Sequence, residues 1–174
     1  MTDIHVVVAC AQCHVFWPVD ADRPTCTFPE HHHQQHEMHR HRSPVVLPDG
    51  TTLMAVSFDE NDPYGRERLP DFGLYLDARW RPAWPYENIA WPDFGVPDDP
   101  ARLEVALRDL LDRARNGQRV ELGCLGGHGR TGTTLAWLAM LSGHSATDAV
   151  AWVRANYCAK AVETDEQAAF VAAL

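Results

Sequence analysis

The sequence lacks an apolar run of membrane-spanning length, and it lacks an excess of basic residues. Its 15 lysine and arginine residues stand against 24 aspartate and glutamate residues, a formal net charge of −9 at pH 7. Broad nucleic-acid surfaces and surfaces for anionic membranes both need many exposed cations. The net charge therefore argues against such surfaces, and a polyanionic ligand would have to bind at a local cluster of hydrogen-bond donors.

Internal repeats are also missing, and residues 1–10 have no basic region ahead of their short apolar run. That stretch is typical of a strand rather than of a secretory signal peptide. The five cysteines form an odd set, which favours thiol chemistry or metal binding over a disulfide framework. We therefore expect a cytoplasmic protein.

Residues 1–42 differ in composition from the rest, with three of the five cysteines and eight of the ten histidines. Cys10, Cys13, Cys26 and His31 offer ligands in a spacing compatible with tetrahedral zinc, which would staple a segment too small for its own core. The alternative is a polar loop without metal. Three further histidines are surplus to such a site: His36, His39 and His41. We predict a small Cys/His-rich zinc-binding module over 1–42.

Residues 43–174 carry strand and helix patterns, which predict an α/β domain with a mixed central sheet flanked by helices. Apolar runs bounded by turn residues predict strands at 45–47, 51–58, 72–76, 88–91 and 119–123. Capping residues and apolar periodicity predict helices from Pro100 to Asn116, over 133–141, from Ser145 and from Thr164. Arg66 and Arg68, in the loop between two strands, are interpreted as solvated, with anion binding as the alternative.

The seven-residue segment 124–130 joins a predicted strand to an apolar helix, with a thiol at one end and a guanidinium at the other. It consists of Cys124, Leu125, Gly126, Gly127, His128, Gly129 and Arg130. Glycines let successive N–H groups turn inward, and the following helix N-terminus reinforces this anion nest. The same field favours a thiolate, and a guanidinium can bind two phosphate oxygens. The segment therefore predicts a phosphate site with a reactive cysteine.

Residues 124–133, C-L-G-G-H-G-R-T-G-T, resemble the C-x-x-G-x-G-R-T-G signature loop of the protein-tyrosine phosphatase superfamily. The resemblance implies a phosphocysteine on Cys124, a Thr131 hydroxyl that hydrogen-bonds the sulfur, and no cofactor for catalysis. The family usually has histidine before the nucleophile, where this chain has Gly123. We interpret His128 either as a cation facing the substrate or as a solvated rim residue.

Residues 91–97, W-P-D-F-G-V-P, resemble the mobile general-acid loop of the same family. The resemblance implies that Asp93 protonates the leaving oxygen and then activates water. Residues 70–73 repeat P-D-F-G without the tryptophan, so we interpret Asp71 as a turn residue.

Residues 162–170, V-E-T-D-E-Q-A-A-F, resemble the family's Q-T-x-x-Q-Y-x-F loop, with Glu163 in place of the first glutamine. The resemblance implies that Gln167 positions the hydrolytic water. Thr164 and Gln167 also have the spacing of a helix capping box, and both interpretations stay open.

Together these patterns predict a cysteine-dependent phosphatase that hydrolyses phosphomonoesters, with phosphotyrosine or another phosphoprotein as substrate. A phosphatase for RNA ends, nucleotides or inositol phosphates is one alternative, and a catalytically weak phosphate-binding module is the other. The expected partner is a phosphorylated protein or a small phosphomonoester, with no membrane. Cys158 is interpreted as a core residue, with the alternative of a resolving partner for oxidised Cys124.

Overall fold

The computed structural model describes residues 4–10, 16–18 and 33–174, and it divides the chain into two compact units, Met1–Arg40 and His41–Leu174. In the first unit the described segments form a three-stranded antiparallel sheet in the order β2-β1-β3. Its strands are β1 (Ile4–Cys10), β2 (Phe16–Pro18) and β3 (His33–His39).

Three of the four predicted zinc ligands, Cys13, Cys26 and His31, lie outside the described residues. Cys10 is described only as the last backbone position of β1. The zinc-binding module therefore stays a prediction.

The second unit is built on a five-stranded mixed sheet in the order β4-β5-β8-β6-β7, which confirms the predicted fold class. β4 is antiparallel to β5, and the other neighbours are parallel. The strands are β4 (Arg42–Val46), β5 (Thr52–Ser57), β6 (Phe72–Tyr75), β7 (Tyr86–Asn88) and β8 (Val120–Cys124). Within the described part of the chain, no helix is both long and apolar enough to span a bilayer.

The helices of this unit are α1 (Pro100–Arg115), α2 (Gly129–Leu141), α3 (Ala149–Asn156) and α4 (Asp165–Ala172). The Asp99 side chain accepts a hydrogen bond from the Arg102 N–H at 3.0 Å, and the Thr164 hydroxyl accepts one from the Gln167 N–H at 3.1 Å. These two predicted caps are confirmed, and each satisfies one of the unpaired N–H groups at a helix start.

The cap predicted at Ser145 is wrong. Its hydroxyl pairs with the Thr147 hydroxyl at 2.6 Å, and a short 3-10 turn, Ala146–Asp148, precedes α3. α2 also begins one turn earlier than predicted, at Gly129, so Arg130 lies in the first turn of the helix.

Successive side chains of the central strands pack into two separate clusters, as the pleat of a sheet requires. Ala55 and Leu74 join one cluster with the leucines of α1 and α2. Val56 and Tyr75, the next residues along the same strands, join another with Trp80 and Trp84. Helices therefore cover one face of the sheet, and aromatic loop residues cover the other.

A buried ion pair anchors the loop between β5 and β6 to β8. Arg66 Nε donates to Glu121 Oε1 at 2.7 Å, and the Arg66 side chain is 5% exposed, so the predicted solvated position is wrong. The Tyr75 hydroxyl also donates to Glu121, at 3.0 Å, while Trp84 Nε1 donates to that hydroxyl at 2.8 Å. A buried carboxylate without a partner costs roughly 3–5 kcal/mol, so Glu121 requires Arg66.

Candidate active site

The segment 124–130 forms a tight loop between the carboxyl end of β8 and the first turn of α2. Cys124 is 1% exposed, and the Gly127 N–H donates to its Sγ at 3.2 Å. Gly127 has φ +77°, in the left-handed region that glycine adopts without strain. The turn thereby directs backbone N–H toward the sulfur, as the glycines predict.

Gly123 departs from the family pattern for a steric reason. A Cβ at this position would lie 2.6 Å from the Val56 carbonyl oxygen and 3.3 Å from Trp80 Cζ2. Real Cβ atoms essentially never have a contact as short as the first, and the neighbouring atom belongs to the backbone, which shifts less readily than the end of a side chain. A histidine before the nucleophile would therefore require β5, which carries Val56, to shift away from β8 in this structure.

The Cys124 thiol is subject to opposing influences. Burial raises its pKa above the ordinary value, whereas the Arg130 charge and the Thr131 hydroxyl and backbone N–H act to lower it. The effect of burial is the larger, so the pKa of Cys124 is raised overall. The N–H groups and the positive charge of the loop are therefore not sufficient to give the predicted shift toward the thiolate.

Arg130 links the segment 124–130, the predicted phosphate loop, to two other segments. Its Nη1 donates to the carbonyl oxygens of Leu76 at 3.0 Å and Trp91 at 2.9 Å. Its Nη2 donates to Asp77 Oδ2 at 3.1 Å and lies 3.3 Å from Asp93 Oδ1. The buried guanidinium thus brings the predicted general acid to the loop that carries the predicted nucleophile.

Asp77 was missed by sequence reasoning, although a signal for it exists. It follows β6 closely, and polar residues after parallel strands gather at the carboxyl edge of a sheet, where ligands bind.

One buried donor of the loop, Arg130 Nε, has no hydrogen-bond partner within the described part of the chain. Buried polar atoms are almost always paired, and a charged N–H donor selects anionic oxygen. The residues present therefore suit an oxyanion beside Cys124.

Side chains from segments distant in sequence donate hydrogen bonds to the carbonyl groups of the loop. The Ser57 hydroxyl donates to the Gly126 carbonyl at 3.1 Å and accepts from the His41 N–H at 2.8 Å. The Tyr157 hydroxyl donates to the Gly127 carbonyl at 2.5 Å. Since none of these three residues belongs to a local motif, sequence reasoning missed them.

His128 is 3% exposed, so the interpretation as a solvated rim residue is wrong. Its Nε2 lies 3.2 Å from Nε2 of His41, which is itself 7% exposed and packed against Tyr157. His41 is thus part of the second unit rather than a surplus histidine of the first. The His128 imidazole contacts His41 rather than facing the predicted phosphate site. Only the backbone of His128 is therefore placed to bind an anion.

Residues 91–97, the predicted acid loop, are hydrogen-bonded to residues at the start of α4. Asp93 has a side chain 19% exposed, and the next residue, Phe94, adopts φ +62°. The Thr164 hydroxyl donates to the Phe94 carbonyl at 3.1 Å, and Gln167 Nε2 donates to the Gly95 carbonyl at 3.1 Å. Gln167 is fully buried, so its amide positions the acid loop in this conformation.

Asp71 lies at the opposite end of β8 from Cys124. Its carboxylate accepts a hydrogen bond from the Arg119 N–H at 2.8 Å, just before that strand begins. Five residues of strand span roughly 16 Å. Its place supports the interpretation of Asp71 as a turn residue.

Comparison with known proteins agrees with this geometry. The family model described as protein-tyrosine phosphatase matches residues 8–173. The chain belongs to the protein-tyrosine phosphatase family. The chain also resembles two uncharacterized proteins of Methanocaldococcus jannaschii. One is 36% identical over 116 residues, covering 60% of this chain and 76% of the relative, and the other is 35% identical over 109 residues, covering 56% and 66%.

Solved structures include related phosphatase folds. The active form of Tk-PTP is 31% identical with a TM-score of 0.50, covering 59% of this chain and 75% of that one. A kinase-associated phosphatase has a TM-score of 0.60 at 16% identity, covering 79% and 94%. Human DUSP28 has a TM-score of 0.50 at 17% identity, covering 75% and 89%. At these last two identities the likeness concerns the fold alone.

Glu163, which replaces a glutamine of the phosphatase pattern, adds a second carboxyl group beside the loop. Although the residue as a whole is exposed, its carboxylate accepts a hydrogen bond from the Gly129 N–H. Burial of the carboxylate and the nearby Asp93 charge raise the pKa of Glu163 to about 7. The folded chain therefore holds this proton more tightly than the unfolded chain, where the ordinary pKa is 4.5.

Glu163→Gln is expected to change stability in a pH-dependent way. Since the folded-state pKa is raised, folding stability declines as the pH rises from 4.5 to about 7 and stays reduced above that range. The amide cannot ionise, so the variant should melt at a higher temperature than the unchanged protein at about pH 8 and lose most of that advantage at about pH 5. Thermal unfolding across pH measures this, with Glu166→Gln as the control for loss of one exposed charge. A Glu163→Gln advantage that is the same at both pH values would contradict the assignment.

Proposed function

We propose that this protein hydrolyses phosphomonoesters through a phosphocysteine intermediate on Cys124. The observation that carries the proposal is the contact of Arg130 with Asp93 at 3.3 Å, because it joins the acid loop to the phosphate loop. The buried donor Arg130 Nε, which has no partner within the described part of the chain, supports an oxyanion at the same place.

In the first step the Cys124 thiolate attacks phosphorus, forming the sulfur–phosphorus bond as the ester phosphorus–oxygen bond breaks. The protonated Asp93 gives its proton to the leaving oxygen. Arg130 and the backbone N–H groups of the loop stabilise the charge on the equatorial oxygens. The thiolate itself is supported by the Gly127 N–H, at 3.2 Å from the sulfur.

In the second step the Asp93 carboxylate takes a proton from water, which attacks the phosphocysteine and releases inorganic phosphate and the thiolate. Gln167 acts here as a positioning residue. Its buried amide holds Gly95 at 3.1 Å and so fixes the acid loop, in addition to the role toward water that the family resemblance implies.

We propose a phosphoprotein, with phosphotyrosine as the modified residue, as the substrate class, on the basis of family membership. The alternative of RNA ends, nucleotides or inositol phosphates rests on His128 as a cation facing the substrate, on the lack of a phosphotyrosine-recognition loop pattern before Asp71 and on the predicted zinc module. The burial of His128 against His41 removes the first of these three grounds. We also propose a cytoplasmic location, because the odd set of five cysteines favours thiol chemistry or metal binding over a disulfide framework.

The alternative of a weak phosphate-binding module rests on Gly123 and Glu163. Gly123 is explained by its contact with Val56, which concerns packing and not loss of activity. Glu163 still places a carboxylate near the phosphate site, so the catalytic proposal requires a direct test of turnover.

Cys124→Ser is expected to abolish turnover, because a serine hydroxyl in this loop is a far weaker nucleophile than a thiolate. Turnover is measured on p-nitrophenyl phosphate, a phosphotyrosine peptide, a phosphoinositide and 5′-phosphorylated RNA. Tungstate binding by calorimetry is the control for an intact loop, and it should persist in the variant. Undiminished turnover in Cys124→Ser would overturn the mechanism, and preference for the RNA or the phosphoinositide would overturn the substrate class.

Asp93→Asn is expected to lower the rate on the phosphotyrosine peptide by about a hundredfold to ten-thousandfold, the usual contribution of a general acid. It should also remove the basic limb of the pH–rate profile where leaving-group departure limits the rate. Asp71→Asn is the matched control, since the amide oxygen can still accept from the Arg119 N–H, and it should leave rate and profile unchanged. A larger loss in Asp71→Asn than in Asp93→Asn would show that the acid has been misassigned.

A further inference from the structure

Three metal-binding side chains converge behind the phosphate loop, from three separate parts of the second unit. His41 precedes β4, His128 lies within the phosphate loop, and Cys158 follows α3. All three are buried, and their ligand atoms lie within 4.8 Å of one another. The hydrolytic mechanism uses none of these side chains.

The distances suit a transition-metal ion. With zinc–nitrogen bonds of about 2.0–2.1 Å and zinc–sulfur bonds of about 2.3 Å, ligand atoms of a tetrahedral site lie about 3.3–3.6 Å apart. The Nε2 atoms of His41 and His128 are already 3.2 Å apart, with their rings at 76° to one another. Small side-chain rotations would therefore bring both nitrogens and the sulfur onto one ion.

The chemistry of the donors points to the same class of ion. Two imidazoles and a thiolate are borderline and soft ligands, which select zinc and neighbouring divalent metals over calcium or magnesium. Three protein ligands leave one tetrahedral position for water. We propose that His41, His128 and Cys158 bind one zinc ion behind the phosphate loop.

Such an ion would cross-link the structures that support the loop. The His41 backbone is tied through Ser57 to Gly126, and Tyr157, next to Cys158, donates to the Gly127 carbonyl. His128 is itself a loop residue. Zinc would thus join β4, the loop and the end of α3, and hold the loop in the form that presents Cys124. This site is distinct from the predicted set of Cys10, Cys13, Cys26 and His31, and it does not depend on hydrolytic activity.

The test uses the full chain, stripped of metal and titrated with cobalt(II), whose thiolate charge-transfer band reports sulfur ligation, and then with zinc. The background carries Cys10→Ser, Cys13→Ser and Cys26→Ser, so that the amino-terminal set has no thiolate to supply the signal, and Cys124→Ser, which removes the nucleophile. In this quadruple variant, whose one remaining cysteine is Cys158, one cobalt should bind with a thiolate band, and zinc should displace it and raise the melting temperature. Adding Cys158→Ser should abolish the band, and adding His41→Gln instead should weaken zinc binding by at least about a hundredfold.

Two results would overturn the site. The first is a quadruple variant that binds neither cobalt nor zinc, in which case the two imidazoles form a simple hydrogen-bonded pair. The second is that neither Cys158→Ser nor His41→Gln changes the cobalt-thiolate band or the affinity for zinc. Circular dichroism of each variant shows whether it is folded, and His41→Gln tests the site if Cys158→Ser does not fold.

Discussion

The candidate site depends on the ion pairs and hydrogen bonds of the buried Arg130 guanidinium. An unpaired charge that is 3% exposed would cost several kcal/mol, so the fold surrounds it with two carboxylates and two carbonyl oxygens. Asp77 and Leu76 come from the end of β6, whereas Trp91 and Asp93 come from the acid loop. One charge therefore fixes the relative position of three segments that are far apart in sequence.

In the proposed mechanism, the same arrangement would couple phosphate binding to the acid loop. Four N–H groups of the guanidinium face protein oxygens, and Nε remains for a ligand. A dianionic phosphate that takes a second hydrogen bond from Nη2 competes with the Asp93 carboxylate for it. In that mechanism, protonation of Asp93 would weaken its ion pair with Arg130, so Arg130 would bind phosphate more readily when Asp93 carries its proton.

The sequence predicted the parts of the site that are contiguous and missed those assembled by folding. The loop 124–130, the acid loop and the cap at Thr164 are local patterns whose residue types carry their own physical reasons. Ser57, Tyr157 and His41 act through contacts made between elements, and nothing near them in sequence marks them. His128 and Arg66 were misjudged for a related reason, because exposure is a property of the packed chain. Gly123 is explained by Val56, a neighbour in space on another strand.

The central claim is that phosphate passes through the sulfur of Cys124, and trapping the intermediate tests it most directly. The protein is mixed with a phosphorus-labelled phosphotyrosine peptide, quenched with denaturant during the first turnovers, digested and mapped by mass spectrometry. The account predicts up to one phosphate per chain, on the peptide that contains Cys124 and bound through sulfur. Turnover with the label on another residue, or with no labelled protein at any quench time, would contradict it.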